Sequence, residues 1–582
     1  MIKIHQGMDR DRYFVRGAFH RFFWPAMFSS FWLALAGVMD SVFVGNGIGA
    51  EGLSAISLGQ PVYLFYNILS YGFSIGGSIH YAGRLAEGRA EEGNRLFLTI
   101  LRFLLMLYII TVCLGLLFLP QLMMILGADP ANVTARTYIR TQLIFVPIMF
   151  LQGPFYFFVN ADNGPNTASL AMSISGMTDA LFSYIFIVKM GLGVAGSVYS
   201  TVVGALIMLS ITGWHVLSGR GALRLKFGRM EWGVLHGTAV TGFSTSLQYL
   251  FQFITMIAVN RLLMHMGGTI AVAAFDVVYN ISLLCTAISE GTIFAVEHML
   301  SSYRSERNLN NIRYTLDLSG RWTMLLSGIA VYFLFVYAET FSGLFGMRTG
   351  EELRYTASGI RIFSFSVLPA MLNIVFSGYY QALRQEWIAF LITVCRSFLL
   401  YLTAMMVCSR GGMDTFWFIF VMTEVLTLVI WIPAAWRRGG ILQLGGIDVS
   451  KAKSVVIDST SRDISEAAEI LQKFCRAHGG SAKQAMYIGL TVEEICLLIT
   501  ERFPDLAGGI YIQITVVADE GEVTFFLRDN ALAFNPMAEN TDRIRLEEGE
   551  HLDLMGVKIV QKNAKEFYYR RYSGFNTLVI RL

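Results

Sequence analysis

The sequence predicts an all-α polytopic membrane protein, with twelve transmembrane helices in two six-helix repeats, followed by a small cytoplasmic α+β domain. Three observations predict it. The 582 residues are 54% hydrophobic and 15% charged, whereas a soluble domain is nearer ~25% charged. The apolar residues fall in long runs between short polar breaks. The helical region also repeats itself at an offset of about 220 residues.

The repeat is carried by ordered pairs. Asp40 is answered by Asn260, Arg84 by Arg304, Thr137-Tyr138-Ile139-Arg140 by Ser358-Gly359-Ile360-Arg361, Pro147 by Pro369, and Asn160-Ala161 by Gln381-Ala382. In a hydrophobic chain such a repeat is what transporters show when two similar bundles move around a central site. A spanning helix needs ~20 mostly apolar residues. Segments 18–44, 54–80, 96–122, 138–160, 168–189 and 192–217 meet that in the first copy. Segments 235–264, 269–298, 319–345, 355–382, 387–409 and 413–435 meet it in the second. The expected units are an amino-terminal cytoplasmic segment 1–17, a first lobe 18–217, an inter-lobe loop 218–234, a second lobe 235–436, a linker 437–453 and the soluble domain 454–582.

Loop charge sets the expected orientation. Lys3, Arg10, Arg12 and Arg16 precede the first run, Arg84, Arg89 and Arg95 follow the second, and Arg220, Arg224, Lys226 and Arg229 fill the central loop. Arg304, Arg307 and Arg313 follow the eighth run. With twelve spans these loops share one side, so both termini are expected in the cytoplasm and the two lobes in parallel orientation. Residues 1–16 lack the apolar core and cleavage site of a removed signal peptide.

After Trp436-Arg437-Arg438 the composition becomes that of a soluble domain. Ser461 to Phe474 and Tyr487 to Phe503 have helical periodicity. Tyr511 to Val517 and Glu522 to Arg528 alternate as strands, and Phe567 to Tyr572 with Thr577 to Arg581 form a closing hairpin. The six cysteines are too scattered for a disulfide framework or a zinc site. A net charge of +3 without a basic tract excludes a nucleic-acid partner.

Charge inside a bilayer is costly and marks candidate sites. Asp40 lies late in the first helix and is read either as a proton or Na⁺ site or as an interfacial carboxylate. Asp179 has about ten mostly apolar or small residues on each side, which hinders snorkelling to water. Glu290 is deep in the eighth helix, whereas Glu297 and Asp276 are read as interfacial. Arg396 is read as a carboxylate partner or substrate contact. Aromatic residues lining a cavity would suit lipophilic or cationic substrates.

The region from about 18 to 436 resembles the multidrug and toxic compound extrusion family. The resemblance rests on Trp24-Pro25, Val38-Met39-Asp40-Ser41-Val42-Phe43-Val44-Gly45, Gly49-Ala50-Glu51-Gly52-Leu53-Ser54-Ala55 and Gly83-Arg84-Leu85-Ala86-Glu87-Gly88. Further matches are Asn160-Ala161-Asp162-Asn163-Gly164-Pro165, Gly193-Val194-Ala195-Gly196, and Gly267-Gly268 with Ala271-Val272-Ala273-Ala274. It implies a cation-coupled antiporter, driven by H⁺ or Na⁺, that exports organic cations or amphipathic compounds. The family's coupling carboxylate of the first helix falls on Asp40. Its fifth-helix Asn and Asp positions fall on Asp179 and Ser183, so the carboxylate sits a turn earlier here. Asn160, Asn260, Glu290 and Arg396 complete the candidate cavity or coupling residues.

The soluble tail resembles the ATPase domain of histidine kinases and anti-sigma-factor kinases. The resemblance rests on Leu490-Thr491-Val492-Glu493-Glu494-Ile495, on Asp529 in Leu527-Arg528-Asp529-Asn530, and on Leu554-Met555-Gly556-Val557-Lys558. It implies nucleotide contacts at Glu494, Asp529 and Gly556. The metal-binding Asn of that family is Leu498 here, and its glycines after the Asp are Ala531 and Ala533. Leucine cannot ligate Mg²⁺, so the tail is expected to be a non-catalytic regulatory or docking module for a protein partner. No cofactor beyond the coupling ion is expected. The expected partners are small-molecule substrates and the lipid bilayer. Two alternatives stand beside the exporter: a flippase for a lipid-linked precursor, and a membrane sensor signalling through the tail.

Overall fold

The computed structural model describes residues 2–86, 89–162, 164–225, 230–348, 350–442, 448–458, 461–503, 509–519, 521–534, 555–572 and 575–582. The chain is mostly helical. Its first copy consists of α1 (Ile2–Ile48), α2 (Ala50–Ala86), α3 (Ala90–Leu117), α4 (Leu119–Leu126), α5 (Val133–Ala161), α6 (Pro165–Ser183) and α7 (Val194–Leu217). Then come α8 (Gly233–Ser305), α9 (Leu309–Val336), α10 (Ala338–Leu344), α11 (Gly350–Ser364) and α12 (Val367–Ala382). The second copy closes with α13 (Glu386–Val394), α14 (Leu400–Cys408), α15 (Met413–Phe416) and α16 (Phe418–Trp436). Among the described residues nine helices are long and apolar enough to cross a membrane, or ten if the bent pair α11 and α12 is one span.

The repeat has a backbone signature. Gly49 and Gly268, Gly127 and Gly346, and Gly193 and Gly412 all have positive φ and stand about 220 residues apart. Only glycine adopts that region without strain. Gly49 turns α1 into α2, and Gly268, at φ 62°, breaks the 73-residue α8. Ser41 in α1 meets Asp276 beyond the break, and Ser57 in α2 meets Asn260 before it. The two halves of α8 therefore run antiparallel, as α1 and α2 do.

From Ile2 the chain is helical and continuous with α1. Phe14, Val15, Ala18, Phe19, Phe23 and Met27 recur at helical spacing and are buried in a cluster where α1 packs on α8 and α9. A polar composition hid an amphipathic helix whose apolar face has a partner.

The tail is a five-stranded antiparallel sheet of order β1-β2-β3-β5-β4 with helices packed on it. Its elements are β1 (Ala452–Asp458), α17 (Ser461–Ala477), α18 (Ala482–Arg502), β2 (Tyr511–Asp519), β3 (Glu522–Asp529), α19 (Met555–Asn563), β4 (Glu566–Tyr572) and β5 (Phe575–Arg581). Ser481 starts α18 with a reciprocal capping box to Gln484. Ile512, Ile514 and Val516 face the helices, where Leu471, Ile488 and Val492 complete the core. Two elements escape the sequence reading. β1 begins inside the expected linker, and α19 occupies the glycine segment.

Gln513 and Thr515, on the opposite face of β2, are buried as well. That face is covered by the ends of the membrane helices. Tyr13 stacks near Tyr511 with ring centroids 4.9 Å apart, and Phe14 packs on Phe575 at 5.1 Å. Arg528 donates to Glu306 at 2.6 Å while lying over the Tyr303 ring. Arg307 and Lys451 both reach Asp519. This end of the bundle is termed the tail end, and the opposite end, where Gly45 abuts Phe345, the far end.

Candidate functional site

The carboxylates of the first copy form one cluster between α1, α6 and α7. Asp40 accepts hydrogen bonds from Ser183 and, at 3.1 Å, from Ser197. The Ser183 hydroxyl oxygen also lies 2.6 Å from that of Ser200, and Ser200 donates to the Ser197 carbonyl. Thr201 reaches Asp179 at 3.4 Å, whereas the other Asp179 oxygen, Oδ1, is buried without a hydrogen-bond partner among the described residues. Gly204 lets α7 come within contact of Ser175 and Asp179 on α6. α6 then passes into a π-helical turn over Tyr184–Lys189, which re-aims the side chains around Ser183.

The chemistry follows from the donor set. The two carboxylates are close enough to feel each other's charge. Among the described residues their hydrogen-bond partners are hydroxyls, with no Arg or Lys. Like charges held together with neutral donors favour uptake of a proton, and an all-oxygen shell also suits a small hard cation. Asp40, Asp179 and Ser183, taken separately from the sequence, come together here.

The second copy is built differently. A cavity of about 230 Å³ is lined by Gln248, Gln252, Tyr279, Glu290, Arg396 and Tyr401, among others. Arg396, in a second π-helical turn over Cys395–Leu399, donates to Glu424 at 2.6 Å. Asn373 donates to the other Glu424 oxygen at 2.7 Å, and Trp431 donates to Asn373 at 2.8 Å. Arg396 is thus paired with Glu424 and its charge also reaches Glu290, so the cavity wall carries two carboxylates and one guanidinium. Glu424 was missed in the sequence. It sits in the apolar run Val421-Met422-Thr423-Glu424-Val425-Leu426, where the cost of a buried charge was a usable signal.

Three sequence readings change. Asn160 lies exposed in the last turn of α5 at the tail end, away from both clusters. Asn260 is fully buried but lines neither site: it exchanges hydrogen bonds with Ser57 across the contact between the copies. Asp276, read as interfacial, is 3% exposed and bonded to Ser41 and Asn280.

In the tail, Asp529 accepts hydrogen bonds from Asn576 at 2.7 Å and from the Ala531 amide at 3.0 Å. Burial pushes its carboxyl up to about 6, although both donors favour the ionised form. Glu494 is half-buried on α18, and Leu498 packs against the tail core. Gly556 falls in the first turn of α19, while 535–554 lie outside the described residues.

The sequence profile of the MatE family matches residues 25–185 and 241–406. The chain belongs to the MatE family. It is a multi-pass membrane transporter and not an enzyme. Among its relatives, "Probable multidrug resistance protein YoeA" of Bacillus subtilis is 23% identical over 351 residues, covering 57% of this chain and 73% of that protein. "FAD transporter" of Shewanella oneidensis is 21% identical over 382 residues, covering 62% and 81%. An inward-facing multidrug resistance MATE family transporter of the MOP superfamily superposes with a TM-score of 0.65 at 19% identity, covering 71% of this chain and 96% of that one. An outward-facing structure of such a transporter gives 0.56 at 20% identity, covering 74% and 96%. The MatE match stops at residue 406, so it does not extend to the tail.

Proposed function

We propose that this MatE transporter is a secondary active exporter in the cytoplasmic membrane, with twelve spans in two six-helix lobes and both termini in the cytoplasm. Inward flow of H⁺ or Na⁺ through the Asp40–Asp179 cluster drives outward movement of organic cations or amphipathic compounds. The observation that carries this reading is the division of labour between the copies. The hydroxyl-held carboxylates bind the ion, and the aromatic, net-negative cavity around Glu290 takes the substrate. An ion shifts a two-state equilibrium only through its different affinity for the two states. A carboxylate pair alternately enclosed and hydrated supplies that difference.

The relative named for multidrug resistance supports the substrate class. A flavin nucleotide, suggested by the other relative's name, carries negative charge and suits Glu290 poorly. The tail is a non-catalytic regulatory module. Its support is the docking of its sheet on α1 and α8, together with Leu498 in the tail core where a metal ligand would be needed. The test is ethidium transport by the full chain in proteoliposomes, with pH and Na⁺ gradients imposed independently. Uptake that follows neither gradient rejects the coupling. Equal transport with residues 450–582 removed rejects the regulatory tail.

A further inference from the structure

The copies meet along two helix pairs, α1 with the second half of α8 and α2 with its first half. Each pair carries a buried hydrogen-bonded bridge. Between α1 and α8, the Ser41 hydroxyl donates to Asp276 Oδ2 at 3.0 Å, and Asn280 donates to the same oxygen at 3.0 Å. Between α2 and α8, the Ser57 hydroxyl donates to Asn260 at 3.1 Å, and Asn260 donates back to the Ser57 carbonyl at 2.7 Å.

These bridges are repeat-related. An offset of about 220 carries Ser41 to within one residue of Asn260, and Asp276 to within one residue of Ser57. The same job of joining the copies is therefore done twice, once with an amide and once with a carboxylic acid. An amide suffices for bonding and carries no charge. A carboxylate in a buried place where an amide would hold calls for another reason. Ser41 also follows Asp40 directly in the chain. Adjacent residues of α1 thus serve a carboxylate of the first copy and one of the second.

We propose that Asp276 is a second ion-responsive carboxylate, set on the seam, whose protonation state decides whether α1 and α8 stay joined. Its Oδ1 takes no hydrogen bond among the described residues, which leaves an oxygen free to accept a proton. Among the described residues the titratable groups that feel its charge are Tyr279 on its own helix and Tyr138 from α5, and Tyr138 also feels Asp40, the residue before Ser41 on α1. Among the described residues no Lys, Arg or His bonds to it. When the copies part, Asp276 loses its donor on the opposite copy. A proton gained or lost there then shifts the balance between joined and parted states. This goes beyond the exporter reading and rests on it only in requiring that the copies separate.

The test needs no substrate. The full chain, with its six native cysteines replaced and one cysteine at Ser57, is placed in nanodiscs. Labelling of that cysteine by a water-soluble maleimide is followed from pH 5 to pH 8 and corrected for thiolate fraction with a model thiol. The expected corrected rate changes at least threefold across that range. Asp276→Asn flattens the profile, and Asp276→Glu, which restores an ionisable group, restores a pH response. A merely structural role would not give that rescue. A flat parent profile, an Asp276→Asn profile superimposable on the parent, or no response with Asp276→Glu in a protein that still folds would each overturn the proposal. Failure of ethidium transport in the separate gradient experiment would leave this result standing.

Discussion

The two copies share a plan and differ in how they hold charge. In the first, Asp40 and Asp179 face serine and threonine hydroxyls. In the second, Glu424 is fixed by Arg396 and Asn373, and Asn373 by Trp431. Hydroxyls rotate and can follow a carboxylate through a change of charge. A guanidinium and an amide in a closed network hold one arrangement. Duplication gave both copies the same helices, and side-chain chemistry then set hydroxyl partners around the carboxylates of one and a closed ion-pair network in the other.

The contrast can be broken most severely at Asp40. Asp40→Asn should keep the fold and reduce gradient-driven ethidium transport on the order of 100-fold, measured in proteoliposomes at equal protein. Undiminished transport would remove the responsive role from the first copy. In the second copy the expected loss is of stability. Arg396→Ala leaves Glu424, 8% exposed, without its charge partner, which should lower unfolding free energy by about 3 kcal/mol. Thermal unfolding in detergent reads this, and adding Glu424→Gln should recover much of it. No recovery would mean that the pair is not the cause.

The contrast is sharpened at the seam. Asn260→Asp puts a carboxylate oxygen against the Ser57 carbonyl that now accepts from the amide, and should destabilise by about 2 kcal/mol at neutral pH. That loss should shrink in acid, where a protonated Asp can donate again. A pH-independent loss would point to packing instead. The smallest effect is expected at the tail. Arg528→Ala strands Glu306, 3% exposed on its side chain, and should weaken docking by about 1–2 kcal/mol. Faster protease cleavage of residues 437–451 in the full chain would show it, and unchanged cleavage would show that the aromatic contacts at Tyr13 and Phe14 suffice.

The apolar runs and the repeat were legible because lipid imposes them on every span. So was Asp40, whose charge stands out in an apolar helix. Its meeting with Ser183 was legible only through a family resemblance, since serines are common in such helices and their aim depends on a π-helical turn. Asp276 was misread because its place near a helix end suggests water, and only tertiary packing shows that α1 covers it. The helical start of α1 and strand β1 were missed for a related reason. Both are short amphipathic stretches that become ordered by docking on something distant in the chain. Local pattern has no access to such partners.

The reversal at Gly267–Gly268 has a mechanical consequence. A hairpin closed on two residues, one of them at a φ reserved for glycine, has no slack. The two halves of α8 cannot slide past each other and must swing as one plate. Because Asn260 and Asp276 ride on that plate, on either side of its crease, a single tilt would release both bridges together. Lengthening the crease by a few flexible residues should uncouple them, leaving one bridge able to open while the other stays shut.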